Sequence, residues 1–247
     1  TFTYASAEYC VSGSDPTPTI TGTTGGTFSS TAGLIINAST GEIDLSASTA
    51  GTYTVSYLTS SNTCAVTGTF DVTITDDEDG TFTYASTEYC KSGSNPTPTV
   101  TGTTGGTFSS TAGLSINGST GEINIAASTA GTYTVSYVTS SNLCAVTGTF
   151  DVTITDDEDG TFTYASAEYC VSGSDPTPTI SGTTGGTFSS TAGLSINAST
   201  GEIDLSASTA GTYTVSYLTS SNLCAVTGTF DVTITADEDG TFSYAFS

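Results

Sequence analysis

Residues 71–85 read DVTITDDEDGTFTYA. Two runs that alternate polar and apolar residues flank Asp76, Asp77, Glu78, Asp79 and Gly80. The arrangement returns at 151–165 and begins again at 231, where Ala236 replaces the first acid. The acidic run is open to three readings: a linker between domains, a metal site, or the tip of a hairpin. The flanks are less ambiguous. Side chains alternate sides along a strand, so Phe70, Val72 and Ile74 face one way and Asp71, Thr73 and Thr75 the other. Tyr53, Val55 and Tyr57 oppose Thr52, Thr54 and Ser56 in the same manner. Aromatic and β-branched residues therefore build a core, and threonines coat its outside.

The 247-residue chain repeats itself every eighty residues, as 1–80, 81–160 and 161–240. Residues 241–247, TFSYAFS, start a further repeat or supply a closing strand. Eighty residues suffice for one small domain and exceed a solenoid unit, which cannot bury a core alone. No segment has helical period. Short runs rich in Thr, Val, Ile, Tyr and Phe, separated by Gly, Ser and Asn, predict seven strands per repeat: about 2–6, 17–23, 26–30, 33–37, 42–47, 51–59 and 64–75. The expected fold is all-β, as tandem seven-stranded immunoglobulin-like β-sandwiches. Position 35 is Ile in the first repeat but Ser115 and Ser195 in the others, so an exposed side chain is expected there.

The formal net charge is −23, with Lys91 the single basic residue. Such a surface repels phosphate backbones and anionic lipid, which argues against nucleic-acid binding. No apolar run approaches the roughly eighteen residues of a spanning helix, so membrane insertion is not expected. The chain has no His, the commonest general base, and no nucleophile beside a base. Glu42 and Asp44 share one face of a strand, yet the second repeat has Asn124 where the pair would need an acid. A non-enzymatic role follows. GTTGG at 22–26 reads as a turn, since it lacks the Lys and helix that phosphate binding needs.

Each repeat has two cysteines, Cys10 and Cys64, Cys90 and Cys144, Cys170 and Cys224, without a Cys-x-x-Cys spacing. Disulfides in an oxidising, extracellular compartment are expected over zinc or thiol chemistry. Two phases of the domain give two frameworks. If the acidic run is a hairpin tip, Val72 faces Phe82, Phe70 faces Tyr84 and Cys64 faces Cys90, giving pairs 64–90 and 144–170, with domain boundaries near 11–16, 91–96 and 171–176. If it is a linker, the boundaries fall at 80 and 160 and the pairs 10–64, 90–144 and 170–224 close every cysteine. In that phase Cys10 and Cys64 lie at opposite poles, about 25–30 Å apart along strands of eight to ten residues, whereas a disulfide needs Cα atoms within about 7 Å. In the hairpin phase residues 1–10 have no domain of their own and could complete a neighbouring molecule by strand donation.

The acidic residues are candidate calcium ligands: Asp76, Asp77, Glu78 and Asp79; Asp156, Asp157, Glu158 and Asp159; Asp237, Glu238 and Asp239. Clustered carboxylates supply the oxygens calcium prefers, and binding would relieve their repulsion. Solvated charges that discourage edge-to-edge aggregation are the other reading. Asn37, Asn117 and Asn197 each begin an Asn-x-Ser sequon.

The stretch AGTYTVSY (50–57) places Tyr53 at the start of the penultimate strand, where a tyrosine corner sits in such sandwiches. With GLSINASTGEI (193–203, slightly changed in the other copies), it resembles the putative-immunoglobulin and cadherin-like repeats of bacterial cell-surface proteins, as in large adhesins of gliding bacteria. The resemblance implies a repetitive extracellular fibre or adhesin stalk whose partners are copies of itself or adjacent repeats. The alternative is a ligand-binding adhesin module that recognises surface glycan or protein through loops at the domain ends.

Overall fold

The computed structural model describes residues 1–60, 63–140, 143–220, 223–238 and 240. Among them every regular element is a strand. The chain divides into two compact units, 1–85 with 95–124 and 133–151, and 86–94 with 125–132 and 152–247. The second repeat thus contributes to both, and each unit is described by itself.

The first repeat lies wholly in the first unit. Its strands are β1 (Phe2–Thr3), β2 (Glu8–Cys10), β3 (Thr19–Ile20), β4 (Thr27–Ser30), β5 (Ile35–Ile36), β6 (Ile43–Asp44), β7 (Gly51–Leu58) and β8 (Thr67–Thr75). One sheet runs β2-β8-β7-β4, while β1 pairs with β3 and β5 with β6 on the opposing side. This is the immunoglobulin arrangement, with one difference from the seven strands expected. The first strand breaks at residues 4–7, so β1 joins one sheet and β2 the other. There β2 runs parallel to β8, with Glu8 opposite Thr73 and Cys10 opposite Thr75. The third repeat has the same pairings in the second unit, such as Cys170 opposite Thr235 and Phe162 opposite Ile180.

The alternating faces are occupied as expected. Tyr53, Val55, Tyr57, Val72 and Ile74 are buried with Phe2, Tyr4, Phe28, Leu34, Ile43 and Leu45. Burying each aliphatic member stabilises the fold by about 1.5–3 kcal/mol before chain entropy is charged against it. Phe2 meets Phe28 edge to face at 5.3 Å between centroids. Tyr53 forms the corner, its hydroxyl donating to the Thr49 carbonyl at 2.7 Å. Tyr4 donates to the carbonyl of Gly41, a residue at φ +73° where a Cβ would crowd Pro18 and the Phe28 ring. Ile35 is 50 % exposed, in line with its replacement by serine.

The hairpin phase is not formed. Phe82 pairs with Val100 rather than Val72, and packs on Phe108. Tyr84 meets Phe150 and donates to the Gly121 carbonyl. Residues 1–10 are likewise not spare: Phe2 pairs with Ile20 and Tyr9 with Ile74, so strand donation by this segment has no vacant strand behind it. The physical reason is burial. Phe82 and Tyr84 bury their rings in the core that follows them, where the hairpin would give them only the neighbouring strand. Residues 241–247, read as a further repeat or closing strand, lie outside the described residues.

Candidate functional site: the junction between repeats

The first unit contains the place where the first repeat meets the second, and the second unit the place where the second meets the third. Cys10 is bonded to Cys144, with Cα atoms 5.5 Å apart. Cys90 is bonded to Cys224, at 5.4 Å. Each bridge spans 134 residues. The expected pairs 64–90 and 144–170 are therefore replaced, as are the alternatives 10–64, 90–144 and 170–224.

Sheet geometry gives the reason. Cys10 lies beside Thr75, at the C-terminal end of β8, whereas Cys64 precedes the other end of that strand, where Leu58 faces Thr67. The length of β8 separates the two by roughly 25 Å, too far for a bond. When one repeat follows another, the pole that carries the first cysteine meets the pole of the next repeat that carries the second. A bridge is possible there and not within a repeat.

The acidic run threads this junction, and its members have separate tasks. Ser12 Oγ donates to the Asp77 carboxylate at 2.8 Å. The Glu78 amide donates to the Cys144 carbonyl at 3.1 Å. The Asp79 amide donates to Thr103 Oγ1 at 3.0 Å, while the Thr103 amide donates to the Asp79 carbonyl at 2.7 Å. The Asp79 carboxylate accepts from the Thr81 amide at 2.9 Å and from the Thr81 hydroxyl. The Thr81 hydroxyl first, and its amide second, hold the Asp79 carboxyl below the usual carboxylate range, because a hydrogen bond to the charged form favours it. In the second unit the Asp159 carboxylate accepts from the Thr161 amide and hydroxyl, and the Glu158 amide donates to the Cys224 carbonyl. Ser92 donates to Asp157 at 2.8 Å.

Glycines set the closeness of the fit. A Cβ on Gly148 would lie 1.9 Å from the Gly80 carbonyl oxygen, and one on Gly102 would lie 2.1 Å from the Asp79 carbonyl oxygen. Gly228 stands 1.9 Å from Gly160 by the same measure. A glycine inside a strand pattern often marks a close backbone approach. Gly68, Gly148 and Gly228, each within the final strand of its repeat, carried that signal in the sequence.

Among the described residues, the convergent groups of three metal-type ligands are Cys10, Asp77 and Cys144, and Cys90, Asp157 and Cys224. In both the sulfurs are joined as disulfides and offer no thiolate. Asp237 accepts from Ser172 Oγ at 2.7 Å; Asp76, Asp156 and Glu238 are exposed. Asp239 lies outside the described residues. No helix among the described residues is long and apolar enough to cross a membrane.

No protein-family model matches the chain, and no curated protein does. Solved structures of tandem domains are similar at low identity. Three immunoglobulin domains of titin, I67–I69 in an E-to-A mutated variant, align at 10 % identity with a TM-score of 0.44, covering 96 % of this chain and 99 % of that one. Protocadherin gammaB7 EC3-6 aligns at 11 % identity and a TM-score of 0.32, covering 95 % and 73 %. A SusE-like surface-located polysaccharide-binding protein from Bacteroides thetaiotaomicron aligns at 14 % and 0.28, covering 96 % and 72 %.

Proposed function

We propose that the chain is a non-enzymatic structural segment of an extracellular fibre or adhesin stalk, built from three immunoglobulin-like repeats at 1–80, 81–160 and 161–240. One observation carries this reading: each disulfide ties a repeat to its successor rather than closing a repeat on itself. An isolated domain gains nothing from such a bridge until a second domain is docked on it. A bridge at each junction instead gives tension a covalent route that bypasses most of the polypeptide. The surface suits an exposed, long-lived object, since a chain with one basic residue offers a single site to trypsin-like proteases. Disulfides of this kind persist outside reducing compartments. The test is mechanical: pulling the chain by its ends, oxidised and reduced, should give two very different limiting lengths. Equal lengths would remove the load-bearing role.

Calcium at the acidic runs is a separate proposal within this reading. It is supported by the density of carboxylates at Asp76–Asp79 and Asp156–Asp159, and by the oxygen preference of the ion. A melting temperature that rises with millimolar calcium and falls again on chelation is the expected result; an unchanged one removes the ion.

A further inference from the structure

The last strand of a repeat is paired along its length on one side only. In the first repeat β8 follows β7 without a bulge, from Thr67 opposite Leu58 to Ile74 opposite Gly51. On its other side β2 covers just Thr73–Thr75, because the chain leaves for the opposing sheet at residues 4–7. Hydrogen bonds show which way the backbone groups point. The Thr73 amide donates to the Ala7 carbonyl and the Val11 amide to the Thr75 carbonyl, while the Val66 carbonyl accepts from Thr59 on the β7 side. Backbone groups alternate sides along a strand, so Thr67, Thr69 and Asp71 turn theirs to the uncovered edge. The other repeats follow suit, with the Thr153 amide bonded to the Thr87 carbonyl and the Thr233 amide to the Ala167 carbonyl. There the open row is Thr147, Thr149 and Asp151, and again Thr227, Thr229 and Asp231. Among the described residues, nothing hydrogen-bonds to these backbone groups on that side. Such a row is a template for a further strand, and natural edges are commonly guarded by Lys, Pro or a bulge. The stretch TGTFD has neither residue in any repeat.

A groove lies against this edge at both junctions. In the first unit it measures about 380 Å³ and is lined by residues 78–82 and 146–149. In the second unit it measures about 360 Å³ and is lined by residues 158–162 and 226–229. Both volumes fall in the range of ligand sites. From this we infer that the edges at 147–151 and 227–231 accept an extended strand of a different, basic polypeptide. The open amides and carbonyls bind its main chain, and alternate side chains set the choice of partner. On the outer face its Thr or Val side chains stand beside Thr147 and Thr149, a favourable cross-strand pairing. On the inner face an apolar side chain meets Val146 and Phe82. A Lys or Arg at its end reaches the carboxylates of Glu78 and Asp79, which line the same groove. Charge excludes a second copy of this chain from that role. Its net charge is −23, and its single basic residue, Lys91, is engaged with the Ser128 carbonyl. The edge exists whether or not the chain serves as a stalk, so the two readings fail separately.

The probe is an acetylated and amidated peptide, Lys-Thr-Val-Thr-Val-Thr-Lys, titrated into the whole oxidised chain at low salt. A chelator is present, since calcium would compete for Glu78 and Glu158. Labelled peptide should bind saturably by fluorescence anisotropy. The Thr149 and Thr229 amides, quick to exchange in the free protein, should slow about tenfold or more by NMR. The Phe150 and Phe230 amides, already in the ladder, should not change. Thr69→Pro, Thr149→Pro and Thr229→Pro together remove donors that the fold leaves unused, so melting should hold while binding weakens about tenfold or more. Glu78→Gln with Glu158→Gln should weaken it about threefold. No saturable binding, or binding that leaves the Thr149 amide exchanging freely, overturns the inference. So does equal binding of a peptide with Glu at both ends, which removes the basic partner. Self-association that protects the same amides would make a second copy the occupant and overturn it too. Should the proline variant unfold, exchange in the wild type decides: a Thr149 amide that is slow without peptide has a partner inside the molecule, and the edge is not open.

Discussion

Reducing the two bridges should nearly triple the length to which the chain can be drawn. In the oxidised protein the shortest covalent route runs from Thr1 to Cys10, across to Cys144, back along the chain to Cys90, across to Cys224 and on to Ser247. That route has about 86 peptide steps in place of about 246, which at roughly 3.5 Å per residue gives about 300 Å against about 860 Å. Between the two bridges three stretches of backbone lie in parallel, and the shortest, Cys90 to Cys144, sets the limit. Force spectroscopy on end-tethered molecules measures both lengths, with and without reductant. Two variants make the assay specific. Cys144→Ser leaves the route through Cys90 and Cys224 and should lengthen the oxidised limit by about 26 steps, or about 90 Å. Cys64→Ser should leave it unchanged. Bridges closed within repeats would predict about 190 Å of added length in Cys64→Ser, and bridges at 64–90 and 144–170 would predict about 680 Å for the oxidised wild type. Either result would refute the junction pairing.

Trypsin supplies a chemical version of the same test, because Lys91 is its single site. The Lys91 ammonium donates to the Ser128 carbonyl and is partly buried, so cleavage is best done in urea with thiols blocked. The two fragments should stay joined on a non-reducing gel even in Cys90→Ser, held by Cys10–Cys144; separation in that variant would contradict the pairing. Gly148→Ala should destabilise the protein by about 1–3 kcal/mol, since the new methyl meets backbone that cannot step aside. Gly68→Ala should cost well under that, and equal effects in chemical denaturation would deny the tight approach. Acid should weaken the junction in a definite window. The Asp79 and Asp159 carboxyls lie below their ordinary range, so their contribution is complete above the unfolded value of about 3.9 and is lost as pH falls through the folded one. Asp79→Asn with Asp159→Asn should flatten the decline in denaturation midpoint below about pH 4, and an unaltered profile would assign the loss to other groups.

The strands and their faces were legible because a half-buried strand writes its geometry into alternate residues. Phe70, Val72 and Ile74 against Asp71, Thr73 and Thr75 needed no tertiary information, nor did the exposure of Ile35. The phase of the domain was less legible. Val72 and Phe70 match Phe82 and Tyr84 as well in a hairpin as across a core, and a pattern of apolar positions cannot choose between partners of equal chemistry. Nor did the sequence place the break between β1 and β2. That break puts Cys10 on the same sheet as β8, at the pole away from Cys64, and leaves the thiols of one repeat too far apart to bond.

By itself, then, the sequence determined a thrice-repeated, all-strand chain with sulfur to oxidise and a surface of carboxylates and threonines, since composition and period are local properties. Only the tertiary structure decided which cysteine meets which, and that Asp77, Asp79 and Gly80 pack into a seam between domains. Those depend on distances between poles of a folded sheet and on how one domain stands upon the next. Neither is recorded in the spacing of residues along the chain.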